Sequence, residues 1–297
     1  MAVPARIRPH LMGMLLMGSV GLVFAAHDTL SKTLIMSLPV IFVAWVRYLI
    51  HSCIISTVIL AGKQRALPKT RRPWLHVCRA LCLLADSLTF MYGLTHVPLA
   101  ESTALVFLAP AFVTLLSPLV FGTRIDRSQW LPVIIGFVGV LVIINPQGQG
   151  FTPWLLFPLA TAFFFALYQI LTQLAGETDS PSTSSFYVGV FSTLILTVSV
   201  PFYWAQASTI QWGQLVVLGS LGLAAHFLIS KSYSYASSAV LAPLGYLQIV
   251  FATLFGIVVF SDYPPASSVI GIALVLLSGF LVYARRNPEL SAGTAGG

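Results

Sequence analysis

The stretch Leu105–Ile143 reads LVFLAPAFVTLLSPLVFGTRIDRSQWLPVIIGFVGVLVI. It returns in altered form as Leu244–Tyr283, LGYLQIVFATLFGIVVFSDYPPASSVIGIALVLLSGFLVY. Each copy is two apolar runs joined by a short polar turn. Phe121 falls on Phe260, and Gly139 falls on Gly279 once one residue is inserted in the second copy. Recurrence at half the chain length marks an internal duplication. The first turn carries Arg124 and Arg127; the second carries Asp262 and no base. Lys and Arg concentrate on the cytoplasmic side of a membrane. The two turns therefore belong on opposite faces, with the second copy upside down.

The composition agrees. Of the 297 residues 57% are hydrophobic and only 8% charged, with a mean hydropathy of +0.91. A soluble domain carries about 25% charged residues, so this chain needs lipid around it. The apolar runs predict ten membrane-spanning helices, about Leu11–Leu34, Val40–Ala61, Trp74–Gly93, Ala100–Val120, Trp130–Ile144, Trp154–Leu174, Ser185–Phe202, Trp212–Ser230, Ala239–Phe260 and Ala266–Tyr283. All six tryptophans fall near predicted helix ends, at the headgroup level that indole prefers. The first run lacks a convincing small-x-small cleavage site and reads as a retained helix.

The fold class is thus all-α integral membrane, ten transmembrane helices as two inverted five-helix repeats. Residues 1–146 hold the first repeat, 147–290 the second, and 291–297 a disordered tail. With the N-terminus inside, twelve of the fifteen Lys and Arg residues fall on the inner side and none in an outer loop; Lys32, Arg47 and Arg79 lie within spans. The expected location is the inner cell membrane, with both termini cytoplasmic. This asymmetry also accounts for the net charge of +7 without nucleic acid as partner. Cys53, Cys78 and Cys82 lie in apolar runs and read as buried small residues, not a disulfide or metal site.

Inverted repeats are the architecture of secondary transporters, whose halves exchange conformations around a midplane site. The segment Gly93-Leu94-Thr95-His96-Val97-Pro98-Leu99-Ala100-Glu101-Ser102-Thr103-Ala104-Leu105, with Pro110 and Phe121-Gly122-Thr123-Arg124, resembles the EamA repeat of the drug/metabolite transporter superfamily. The family's usual Gly-Glu-Arg is Gly122-Thr123-Arg124 here, and the second copy has Ser261-Asp262-Tyr263 and Gln248-Ile249 where Gly-Glu and a proline are common. The Asp28-x-x-x-Lys32 spacing is similar to branches of the family that handle riboflavin or S-adenosylmethionine. The resemblance implies alternating-access transport of a small organic solute.

Ionisable groups within a bilayer are costly and need a partner or a water-filled cavity. Asp28 and Lys32 stand one turn apart and can pair on one face, as a structural tie or as part of the pathway. Arg47 and His51 share a face of the second helix, Arg47 reading either as a tie to Asp28 or Glu101 or as a substrate contact. Arg79 lies near the inner end of the third helix, where it can snorkel to the headgroups. Asp86 stands near the midplane with no headgroup in reach and is the strongest pathway candidate. His226 lies near the pseudo-equivalent place on the eighth helix. Phe164, Phe165, Tyr168 and Gln169 on the sixth helix, with Tyr246 and Gln248 on the ninth, form either an aromatic wall for a ring-bearing substrate or a packing stripe.

No metalloprotease, P-loop or dinucleotide motif is present, so no enzyme activity, cofactor or bound metal is expected, and transport would run on solute or ion gradients, protons included. The expected function is secondary transport of an amino-acid-like or vitamin-like metabolite. The alternative is a membrane enzyme or lipid-handling protein with its site at one interface.

Overall fold

The computed structural model describes residues 7–61, 68–122, 127–144, 152–235, 241 and 244–286, and their side chains except at 7–10, 127–129, 226, 230, 233 and 282–286. Among these residues the chain is entirely helical: α1 (Ile7–Ile35), α2 (Val40–Ala61), α3 (Pro73–Leu94), α4 (Leu99–Val106), α5 (Ala109–Phe121), α6 (Arg127–Ile144), α7 (Leu156–Gly176), α8 (Pro181–Ser199), α9 (Thr209–Tyr233), α10 (Leu247–Phe260) and α11 (Ala266–Arg286). Short 3₁₀ turns precede α7 and follow α8. The tail 291–297 lies outside the described residues.

Seven segments are long and apolar enough to cross a membrane: Leu11–Ile35, Val40–Ala61, Pro73–Leu94, Leu99–Phe121, Pro153–Gly176, Pro181–Tyr203 and Thr209–Ile229. Trp130–Ile144, Leu247–Phe260 and Ala266–Leu281 are shorter apolar helices. The protein is a multi-pass membrane protein. Leucines, valines and phenylalanines such as Leu119, Val198 and Phe202 face outward, which water would penalise and lipid does not. The cysteines correct the expectation: Cys53 and Cys78 are exposed and Cys82 half-buried. A thiol is at ease against lipid tails, so an apolar run does not by itself imply burial among helices.

The fourth predicted span is broken. α4 stops at Val106, and α5 restarts with Pro110 in its first turn. A proline has no N–H to give to the preceding turn and disfavours helix in the residue before it, so it starts a helix more easily than it continues one. The register that sets Phe121 on Phe260 sets Phe107, at this break, on Tyr246, which immediately precedes α10. The two rings meet at 5.3 Å. The same register pairs the caps: α5 ends on Gly122 (φ 64°) and α10 on Ser261 (φ 57°), both left-handed.

The helix pairing is unchanged when the halves are exchanged. The most extensive contacts are α6 with α11, α3 with α7, α1 with α9, α2 with α8 and α1 with α10, followed by α2 with α9, α3 with α8, and α4 and α5 with α7. Replacing α1, α2, α3, the α4–α5 pair and α6 by α7, α8, α9, α10 and α11, and the reverse, returns the same set. Lipid offers no hydrophobic drive for helix association, so close packing of small residues takes over. Gly139 lies against the Gly271 carbonyl, and Ser278 donates to the Pro132 carbonyl at 2.7 Å. These contacts make α6 and α11 antiparallel. Gly93 against Pro158 and Thr89 against Thr161 make α3 and α7 antiparallel in the same way.

Candidate functional site

Polar side chains gather in three zones along the bundle. The middle zone is built from α1, α2, α3, α7 and α10. Asp28, 6% exposed, lies 3.0 Å from His27 Nδ1 and accepts from Gln248 Nε2 at 3.0 Å. That second bond joins the two halves, and Gly21 permits it by letting α1 approach the Gln248 backbone. Tyr48 is buried on α2, its hydroxyl bonded to Ser87 at 2.8 Å. Arg47, Asp86 and Tyr168 lie within electrostatic reach of Tyr48. Asp86 is half-buried within the bundle, with Arg47 as its attractive and Asp28 as its repulsive charged neighbour; no hydrogen bond to its carboxylate is formed among the described residues. Phe165 stacks on Tyr168 (6.3 Å between ring centres), and these two with Gln169, Thr172 and Gln173 line a cleft of 430 Å³ on α7.

The second zone closes the end remote from the N-terminus of α1. Lys32 donates to Asp262 at 2.8 Å and to the Val97 carbonyl at 3.3 Å, and lies over the Phe260 ring. Glu101 accepts from Ser268 at 2.5 Å. This corrects the expected Asp28–Lys32 pair. One helical turn apart on α1, the two take different partners: Asp28 pairs with its neighbour His27 and with Gln248 on α10, and Lys32 with the turn after α10 and the α3–α4 turn. It also places Glu101 in this end cluster and away from Arg47.

The third zone lies at the opposite end. Arg79 is 2% and His76 0% exposed. Arg79 donates through Nε to Thr172 (3.1 Å), meets His76 Nδ1 at 3.0 Å, and covers the Tyr168 ring. His76 Nε2 lies 3.0 Å from Asp179, in the turn between α7 and α8, and the ring stacks on Tyr187. Thr70 and Thr178 donate to the same Asp179 oxygen. Burial raises the pKa of Asp179, but hydrogen bonds from His76 and Thr70 outweigh it and hold the carboxyl below its ordinary value of 3.8. Arg79 therefore does not snorkel: α7 and His76 supply its hydrogen bonds inside the bundle.

The remaining expected residues separate. His51 bonds Ser185 on α8 and packs against Gly189, which places it between α2 and α8. Tyr246 presses its hydroxyl end toward Gly279 and its ring on Phe107, and does not line the α7 cleft. The His226 side chain lies outside the described residues. Sequence reasoning missed His76, Asp179, His27 and Tyr48. The i, i+3 spacing of His76 and Arg79 on one helix was the available signal for the first.

Comparison with known proteins follows the same outline. The model of the EamA-like transporter family matches twice, over residues 11–145 and 152–284. An S-adenosylmethionine uptake transporter of Rickettsia prowazekii (strain Madrid E) is 27% identical, covering 88% of each chain. A riboflavin transporter of Brucella anthropi is 28% identical over 87% of this chain and 92% of its own. The pseudopaline exporter CntI of Pseudomonas aeruginosa (strain UCBPP-PA14) is 25% identical over 90% and 94%. A solved crystal structure superposes with a TM-score of 0.60 at 16% identity, over 94% of this chain and 98% of the other, and shares the fold alone.

Proposed function

This chain belongs to the EamA-like transporter family, and from that premise we propose that it is a secondary transporter working by alternating access, with ten spans in two inverted repeats and both termini in the cytoplasm. Membrane transport of a small metabolite is what the named relatives have in common. The observation that carries the mechanism is the middle zone. Asp28, Arg47 and Asp86 from the first half meet Gln248 and Tyr168 from the second, deep in a bundle whose helix pairing survives exchange of the halves. Intramembrane ionisable groups mark substrate or ion pathways. A seam shared by two equivalent halves is where alternate opening takes place.

The repeats are residues 1–146 and 147–290. Antiparallel registry of α3 with α7 and of α6 with α11 supports the inversion. The basic end, with Arg71, Arg72 and Lys231, faces the cytoplasm, and the Lys32–Asp262 end faces outward. The substrate is amino-acid-like or vitamin-like and bears a ring. A guanidinium with two carboxylates suits a solute carrying both charges, and the Phe165–Tyr168 face suits a planar ring. Relatives named for S-adenosylmethionine and riboflavin are consistent with such a solute.

The test is uptake by proteoliposomes offered S-adenosylmethionine, riboflavin and aromatic amino acids, beside thermal shift on the purified protein. A bound substrate at one hundred times its Kd stabilises by about 2.7 kcal/mol. Saturable flux of at least one compound, competed by excess unlabelled compound, is expected. Absence of both flux and stabilisation across ring-bearing zwitterions would overturn the substrate class.

A further inference from the structure

Arginine has no acceptor atom, so where Arg79 NH1 meets His76 Nδ1 at 3.0 Å that nitrogen must accept. The imidazole proton is then on Nε2, donated to Asp179. The geometry thus sets both the tautomer and the charge: His76 is neutral here, and Arg79 and Asp179 balance each other across it in a buried chain. A proton added to His76 can go only to Nδ1. There it would point at a guanidinium N–H, and two adjacent cations would share one carboxylate.

Arg79 lies on the same helix as His76, Asp179 and Thr178 on the α7–α8 turn, Tyr187 on α8, Thr70 before α3, and Tyr168 and Thr172 on α7 beside Arg79. The further ion pair there, Arg72 with Glu177 at 3.5 Å, is already balanced and exposed. None of these offers the protonated state a second anion. A net buried positive charge is relieved by water, and water reaches it only if α3 and α7 part.

The equivalent junction at the other end sharpens the point. The N-terminal turn of α9 meets the α1–α2 turn through Gln211 Nε2 and Ser37 Oγ at 3.0 Å. Exchange of the halves carries the start of α3 and the α7–α8 turn onto these two places, and there the contact is neutral.

We propose that His76 is a proton-binding site and that its protonation opens the cytoplasmic end of the α3–α7 seam. This rests on the transporter reading for its meaning, since an opening at that end would admit solute from, or release it to, the cytoplasm. It supplies a coupling proton distinct from any carried by Asp86.

The test needs neither substrate nor flux. Ala175, on α7 beside this chain of contacts, is 0% exposed. In the full-length protein with Cys53, Cys78 and Cys82 replaced by Ser, Ala175→Cys is labelled in detergent with a water-soluble maleimide from about pH 8 to about pH 5.5, the range in which a histidine side chain can change charge. His76→Gln is the reference: a glutamine amide can accept from Arg79 and donate to Asp179, but takes up no proton. Dividing by the rate in His76→Gln at each pH cancels the thiol's own titration. The ratio is expected near one at high pH and about tenfold higher at low pH, the response of a two-state seam biased by one charge. Asp179→Asn removes the balancing anion and is expected to label about tenfold faster than the unaltered protein even at pH 8.

A ratio that stays flat with pH overturns the proposal, as does slow labelling of Asp179→Asn. If His76→Gln does not fold, the Asp179→Asn comparison decides alone. Flux with a flat ratio would leave the transporter reading standing and remove only this one. A pH-dependent opening in a protein that moves none of the solutes would do the reverse.

Discussion

Asp86 lies half-buried inside the bundle, with a guanidinium near it and another carboxylate opposing it. A carboxylate near the bilayer centre costs at least about 2.5–3.5 kcal/mol on insertion scales. Asp28 offsets that cost with His27 and Gln248; the Asp86 carboxylate has no such bonds among the described residues, and under the proposed function it is the one expected to face a solute. In Asp86→Asn, which keeps the shape and removes the charge, membrane expression should stay near normal while proteoliposome flux falls at least about tenfold, an effect of about 1.4 kcal/mol on the bound or transition state. Normal flux in that variant would place Asp86 outside the pathway. At this scale the sequence shows which residues are unusual for a bilayer but not whom they meet. Asp28, Asp86 and Tyr168 were legible because a charge or a phenol within an apolar run is unusual. The partners of Lys32 and Arg79 were not, since i, i+4 spacing on one helix says nothing of Asp262 or Thr172 on others.

Among the elements, the repeat was readable down to its caps. Gly122 and Ser261 occupy matching left-handed positions, and only one of them is glycine. A side chain in that conformation costs about 1–2 kcal/mol. Ser261→Gly should therefore raise the midpoint of thermal unfolding in detergent, and no rise would mean that the Ser261 side chain earns its place in another way. The break between α4 and α5 was legible only as a kink, because proline marks a boundary without saying whether the helix bends or restarts. The α6–α11 seam depends on glycines that bring backbones together: a Cβ on Gly139 would meet the Gly271 carbonyl at 2.9 Å. Gly139→Leu should overpack this seam by at least about 1–3 kcal/mol, lowering monodisperse yield and thermal midpoint. Wild-type behaviour would show that the seam gives way easily.

For the molecule as a whole, the inside-out arrangement rests on the placement of basic residues and is open to direct measurement. With the native cysteines replaced, an impermeant maleimide applied to intact cells should label a cysteine at Gln147 and miss one at Lys69; the reverse pattern would invert the topology. The all-helical, multi-pass character was legible from hydropathy because lipid asks for about 20 apolar residues per crossing, and seven segments meet that length. The number of spans is least clear for the short helices α6, α10 and α11, where length no longer separates a crossing from a buried segment.

The pairing of the helices has a consequence for how the protein is made. Each of the most extensive contacts joins one half of the chain to the other: α6 to α11, α3 to α7, α1 to α9, α2 to α8. Helices within a half touch far less. When the ribosome has finished α6, several charged groups still lack part of their cover. Asp28 waits for Gln248, Lys32 for Asp262, and Arg79 for Thr172. The helices of the first half must therefore be held in the bilayer as a loose set until those of the second half arrive, and the burden of guarding their charges falls in that interval on lipid headgroups, water and insertion chaperones.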